Sequence, residues 1–96
     1  MGGATITHNG TKEEILAFMK DQIKTAAERG LYPDSALAII DPENQKATLY
    51  KVDIDPTGIV EFTETPEGPI FHVGVAARFN PAPKPGELTG TVHVGS

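Results

Sequence analysis

One amphipathic helix, Thr11 to Arg29, most constrains how this 96-residue chain can fold. Its apolar residues recur at helical spacing and share one face: Ile15, Leu16, Met19, Ile23, Ala26 and Ala27. Thr11 and Glu14 have the spacing of a capping box, and Gly30 follows where a glycine commonly ends a helix. Because one helix covers only one face of a sheet, the segment predicts a helix packed on strands rather than a bundle.

The chain after the helix alternates apolar and polar residues with the period of a strand. Five strands are predicted: Ser35–Ile40, Ala47–Ile54, the segment that starts at Ile59, Ile70–Phe79 and Leu88–Val94. No second helix is available to connect parallel strands, so we expect an α+β fold with one N-terminal helix on a five-stranded, meander-like antiparallel sheet. Residues 1–96 form a single domain, in which residues 1–8 are expected to be frayed or to form a short edge segment.

The turn Asp55-Pro56-Thr57-Gly58 predicts a type I turn followed by a left-handed glycine bulge. Such a turn fixes the pairs Ile54 with Val60, Asp53 with Glu61, and Val52 with Phe62. The apolar residues of both strands then share one face, as burial against the helix requires.

Charge is unevenly distributed along the chain. The formal net charge is −5, and residues 53–67 contain five acidic residues and no basic one. A protein that binds along a nucleic-acid backbone needs clustered lysine and arginine, so this class is excluded. The sign favours a basic protein partner or a cation.

The acidic hairpin contains a pattern similar to the calcium loop of EF-hand proteins over twelve residues. The oxygen-bearing residues that occupy ligand positions are Asp53, Asp55, Thr57, Glu61 and Glu64, with Gly58 at the sixth position. The flanks differ from that family, because a strand precedes the loop and Pro66 and Pro69 prevent a following helix. We therefore expect no metal here and treat calcium binding as a second alternative. In a hairpin, Glu61 and Glu64 would point to opposite faces.

No pattern of catalytic residues is present in the sequence. The chain has no cysteine, its only serines are Ser35 and Ser96, and neither lies in a nucleophile elbow. Its histidines, His8, His72 and His93, lack the close spacing of zinc ligands. No apolar run has the length of a membrane span. We expect a cytoplasmic protein that is not an enzyme and holds no cofactor.

A second sheet face carries apolar residues that the helix does not cover. These are Ala38, Ile40, Ala47, Leu49 and Ile59. Contiguous apolar surface commonly marks a contact with a partner, and we expect this face to form a homodimer. The leading prediction is a small, acidic interaction module that binds another macromolecule, with a protein as the expected partner, in the manner of the inhibitors and adaptors of phages and mobile elements.

The alternative prediction is a protein that binds a small anionic, nucleotide-like ligand. Arg78 has the planar fork that pairs with phosphate or carboxylate, and His72 lies on the same face of its predicted strand. Asn80 and Lys84 follow in a proline-rich arm, residues 80–87, whose stiffness lowers the entropy lost on binding.

Overall fold

The computed structural model describes residues 2–44, 46–65 and 84–96. In chain order the described elements are β1 (Gly3–Gly10), α1 (Lys12–Glu28), β2 (Tyr32–Pro33), β3 (Leu37–Asp41), β4 (Lys46–Ile54), β5 (Val60–Glu64) and β6 (Leu88–Gly95). The predicted α+β class, with one helix on an antiparallel sheet, is confirmed. The predicted strand Ile70–Phe79 lies outside the described residues.

The strands of the described sheet follow the order β1-β6-β3-β4-β5, and β2 also pairs with β6. Each described pair is antiparallel. Strands β3, β4 and β5 follow one another as a meander, whereas β6 returns to lie between β1 and β3. Strands β1 and β3 therefore run in the same direction, separated by β6, with α1 in the connection between them.

Helix α1 begins and ends where its sequence predicts. The Thr11 hydroxyl accepts a hydrogen bond from the Glu14 backbone N–H at 3.2 Å, and a Glu14 carboxylate oxygen accepts one from the Thr11 N–H at 2.8 Å. At the other end Gly30 has a φ of 84°. The Leu31 N–H donates to the Ala26 carbonyl and the Gly30 N–H to the Ala27 carbonyl, the two bonds of a Schellman motif.

The core lies between α1 and the sheet. Ile15, Met19 and Ile23 of the helix are fully buried against strand residues that include Leu37 and Val92. Gly90 of β6 lies beneath the helix, and a Cβ at this position would collide with Cγ2 of Ile15. The missing side chain allows the helix to approach the centre of the sheet.

The predicted turn between β4 and β5 is present. Asp55 N–H donates to the Ile59 carbonyl and Gly58 N–H to the Asp55 carbonyl, while Gly58 has a φ of 91°. The register of β4 and β5 matches the predicted pairs, including Asp53 with Glu61. In the β3–β4 turn, the Asp41 carboxylate accepts hydrogen bonds from the backbone N–H groups of Glu43 and Asn44.

The start of the chain differs from the sequence-based expectation. Residues 3–10 are not frayed; they form an eight-residue strand that pairs with β6 from Gly3–Gly95 to Gly10–Leu88. This strand is at an edge of the sheet, but it is not short. Its stability comes from the ladder with β6, a segment about 85 residues later in the sequence.

Replacing Thr11 with alanine removes the oxygen that accepts the Glu14 N–H. We expect the free energy of unfolding to fall by about 1 kcal/mol, which urea titration measures. The control is Thr63→Ala, because Thr63 is exposed and caps no helix. Thr57→Ala is not a suitable control, since the Thr57 hydroxyl donates a hydrogen bond to Asp55. Equal stability of wild type and Thr11→Ala would contradict the capping role.

Replacing Gly90 with alanine places a methyl group against Ile15. We expect a loss of about 1–3 kcal/mol from overpacking. Ile15→Ala removes the colliding Cγ2 at its own cost of about 2–5 kcal/mol. The double variant should therefore be more stable than the sum of the two losses predicts, and strict additivity in urea titrations would show that the two residues do not collide.

Candidate functional site

The outer side of β1 presents backbone groups that β6 does not use. The Ser96 N–H donates to the Gly2 carbonyl at 3.2 Å, which continues the β1–β6 ladder and sets its phase. Hydrogen-bonded pairs alternate along an antiparallel ladder, so Ala4 and Ile6 bond to β6 and the N–H and C=O groups of Thr5 and Thr7 point outward.

The contacts of His93 support the same phase. His93 is the partner of Thr5, yet its carbonyl accepts from the Asp34 N–H at 3.0 Å and its N–H donates to the Ser35 hydroxyl at 3.2 Å. Its backbone groups thus point away from β1. Among the described residues, β1 pairs with β6 alone, which leaves the outward groups of Thr5 and Thr7 without a strand partner there.

Among the described residues, the edge formed by β1 lacks the usual protection against further pairing. Gly3–Gly10 contains no Asp, Glu, Lys, Arg or Pro, and Gly3, Ala4, Thr5 and Thr7 are exposed. Natural edge strands commonly carry a charge or a proline that discourages another strand from adding. The other outer strand of the described order, β5, carries Glu61 and Glu64. Of these two edges, β1 is the one suited to accept a strand.

A groove adjoins this edge on the helix side, and we call it the edge groove. It has a volume of about 180 Å³. Its apolar lining comes from β1, α1, the segment after α1, and β6: Ala4, Ile6, Ala26, Leu31 and Val94. A cavity of roughly 150 Å³ holds a benzene molecule, so the edge groove accommodates one aliphatic or aromatic side chain.

The polar lining of the edge groove has one charge. Gln22 and Thr25 of the helix and its C-cap Arg29 complete the wall, and no described carboxylate takes part. Within the described part of the chain, the Arg29 guanidinium has no carboxylate within 4.0 Å. In a protein of net charge −5, this is a local positive site. The outer edge of β1 and the edge groove together are called the edge site below.

A larger groove lies between α1 and the β4–β5 turn. It has a volume of about 560 Å³ and includes the exposed ring of Tyr32, with Ile54 and Pro56 on the turn side. Its charged residues, Lys24, Glu28 and Asp55, are of mixed sign, and they give the groove no clear preference for a ligand charge.

The acidic hairpin uses its central carboxylate to hold its own turn. One Asp55 oxygen accepts from the Thr57 hydroxyl at 2.6 Å, the Thr57 N–H at 2.9 Å and the Ile59 N–H at 3.0 Å. These bonds, led by the Thr57 hydroxyl, lower the pKa of Asp55. Glu61 pairs with Asp53, whereas Glu64 pairs with Tyr50 and therefore points to the opposite face, as its spacing predicts.

Glu64 contacts the helix rather than the acidic residues. Its carboxylate lies 3.6 Å from the Lys12 ammonium and 3.5 Å from the Tyr50 hydroxyl. Tyr50, with Glu64, raises the pKa of Lys12. This cluster connects the first turn of α1 to β4 and β5. In the described ranges, no three His, Cys, Asp or Glu side chains are arranged to hold a metal ion.

The predicted interface residues do not form one surface. Ala38, Ile40, Ala47 and Leu49 share the sheet face that points away from α1, and their register brings them together. Ile40 and Ala47 are each only 9% exposed, so the patch has little free apolar area. Ile59 does not belong to it: it lies beside Asp55, eight residues along the chain from Ala47, or about 26 Å at strand rise. Homodimerisation through this face stays a prediction.

The residues of the anionic-ligand hypothesis are mostly not described. His72, Arg78 and Asn80 lie outside the described residues, and so does the first part of the proline-rich arm. Lys84 lies at the start of a turn in which its backbone N–H donates to a Glu87 carboxylate oxygen at 2.9 Å. The Gly86 N–H in the same turn donates to Glu43 at 2.8 Å. The hypothesis stays a prediction.

Two histidines have partners that the sequence did not reveal. His93 Nδ1 lies 2.7 Å and 2.8 Å from the two carboxylate oxygens of Asp34, and a Cβ at Gly3 would lie 3.1 Å from the imidazole ring. The ring of His8 stacks on Phe18, with centroids 4.0 Å apart and planes 9° from parallel. This stack occupies the position after Ile6 on the helix-facing side of β1, so the edge groove opens beside Ala4 and Ile6 only.

Sequence reasoning missed the edge site because it expected residues 1–8 to be frayed or to form only a short edge segment. A usable signal was present, since Ala4 and Ile6 alternate with Thr5 and Thr7, and three of these four residues are of types that favour strands. The contribution of Arg29 had no such signal, because it depends on where the end of α1 lies relative to β1.

No protein-family model, curated protein or solved structure matches this chain. In the part of the chain that the structure describes, no helix is long and apolar enough to cross a membrane. The edge site is the described surface that combines unused backbone groups, an apolar groove and a single charge sign.

Acid should destabilise this protein through its hydrogen-bonded carboxylates. The folded pKa values of Glu14 and Asp55 lie below their ordinary values of 4.5 and 3.8, Glu14 chiefly because of the Thr11 backbone N–H. Their stabilising contribution is present above those values and is lost as the pH falls through the lowered ones. We expect Asp55→Asn to reduce the loss of stability on acidification, measured by urea titration over a pH series. Asp53→Asn, whose carboxylate forms no hydrogen bond among the described residues, is the control; an identical acid dependence of Asp55→Asn and wild type would contradict the assignment.

Proposed function

We propose that this chain is a non-enzymatic protein-interaction module that binds an extended segment of a partner by adding it as a strand beside β1. One observation carries the proposal: an uncharged eight-residue edge strand lies next to an apolar groove that opens on its helix side. Strand addition uses main-chain hydrogen bonds for affinity and pockets for alternate side chains for specificity. We place its action in the cytoplasm.

The backbone phase defines how a partner strand would pair. Thr5 and Thr7 supply the outward N–H and C=O groups, so a partner residue opposite either one forms a doubly hydrogen-bonded pair. Partner residues opposite Ala4 and Ile6 direct their side chains toward the helix, because the pleat alternates faces. One of these side chains enters the edge groove.

Strand addition is favoured over the other surfaces because the hydrogen bonds that it forms offset the cost of removing water from the β1 backbone. Exposed backbone groups on β1 exchange water for partner hydrogen bonds, and the groove adds apolar burial. The large groove beside Tyr32 contains charges of both signs, and the face of Ala38 and Leu49 is already partly buried.

The proposal is tested with Thr5→Pro. Proline removes an N–H that points away from β6 and places its ring on the outer edge, so the β1–β6 ladder keeps its hydrogen bonds. The probe is a library of seven-residue peptides with an N-terminal fluorophore, in which threonine alternates with Val, Leu, Ile, Phe or Met. We expect fluorescence anisotropy to detect binders to the wild type, and Thr5→Pro to weaken them by about tenfold or more.

Two variants separate binding from folding. Thr5→Val keeps the backbone N–H and should retain binding. Ala26→Phe fills the edge groove from the helix without changing β1 and should also abolish binding, so the test holds even if Thr5→Pro fails to fold. Absence of any binder in the library, or binding that survives both Thr5→Pro and Ala26→Phe, would contradict the proposal.

A further inference from the structure

We infer that the edge site recognises the free C-terminal carboxylate of its partner through Arg29. This inference rests on the proposed function, and it specifies the orientation and the end of the segment that binds. The observations that carry it are the direction of β1, the position of the edge groove along β1, and the charge of the groove wall.

The direction of β1 places the groove at one end of any added strand. Strand β1 runs from Gly3 to Gly10, and the groove opens beside Ala4 and Ile6, near its beginning. A partner strand that runs antiparallel to β1 therefore reaches the groove with its C-terminal residues. The stacked rings of His8 and Phe18 occupy the helix-facing side further along, so only a side chain near that C-terminus has a groove to enter.

The charge at this end selects a carboxylate over an ammonium. Arg29 lines the same groove as Ala4, and in the part of the chain that the structure describes no acidic residue lines it. A parallel partner would bring its N-terminal ammonium toward Arg29, which is repulsive. An antiparallel partner brings a carboxylate, and the planar guanidinium can donate two hydrogen bonds to it.

Groups near Arg29 that oppose a carboxylate are weaker than Arg29 itself. The C-terminal end of α1 carries an effective charge of roughly −0.5, and the Schellman bonds of Gly30 and Leu31 already satisfy two of its last carbonyls. Glu28 precedes Arg29 in sequence but lines the groove beside Tyr32 instead. The side-chain amide of Gln22 in the edge groove forms no hydrogen bond to another described residue, and its NH₂ group supplies a further donor for a carboxylate.

The test compares one library binder as the free acid with the same peptide as its C-terminal amide. We expect the amide to bind the wild type about tenfold more weakly, measured by anisotropy at constant ionic strength. Arg29→Gln should weaken the free acid by the same factor and make acid and amide equal. Arg29→Lys should restore part of the difference, since it keeps the charge without the fork.

Lys24→Gln is the matched control, because Lys24 lies on the same helix and lines the other groove. It removes the same charge from the protein and should leave the ratio between acid and amide unchanged. Equal binding of acid and amide to the wild type, together with loss of both in Thr5→Pro, would overturn the carboxylate inference and leave strand addition intact. Binding of both peptides that survives Thr5→Pro and Ala26→Phe would instead overturn the proposed function.

Discussion

Helix α1 can lie against the centre of the sheet because position 90 carries no side chain. Gly90 lies on β6, and a Cβ there would meet Ile15 and, at 3.4 Å, Met19. Those two helix residues are fully buried, and they contact the strands that form the rest of the core. Core packing has few voids, so a methyl group at this point would displace the helix rather than fill a gap. The position of α1 over the sheet, and of everything that borders α1, depends on this close approach.

The place of β6 in the sheet explains why β1 becomes a candidate binding edge. Strand β6 pairs with β1 on one side and with β2 and β3 on the other. Strands β1 and β3 lie on either side of β6, so the connection between them crosses β6. Helix α1 lies in this connection, and its end lies over the beginning of β1. The end of the helix then lies near Ala4, and Arg29 and Ala4 line the edge groove together.

Most of the described carboxylates that accept hydrogen bonds stabilise local structure. Asp55 holds the β4–β5 turn, Asp41 holds the β3–β4 turn, and Glu14 caps the helix. The acidic stretch that resembles a calcium loop in sequence is therefore a hairpin whose central carboxylate already has three donors. Its register separates Glu61 from Glu64, because residues an odd number apart on a strand point to opposite faces. Arg29, by contrast, has no described carboxylate within 4.0 Å of its guanidinium.

The sequence by itself determined the features that depend on neighbouring residues. The helix ends at Thr11 and Gly30 follow from hydrogen bonds that span three to five residues, and the β4–β5 register follows from the turn at Asp55–Gly58. The tertiary structure alone decided what depends on distant residues. Strand β1 exists because β6, about 85 residues later, supplies its hydrogen bonds, and Ala4 and Arg29 line one groove only because Gly90 sets the helix against the sheet. The alternation from Ala4 to Thr7 indicates a strand but does not identify its partner, since the same residues would read identically in a chain without β6.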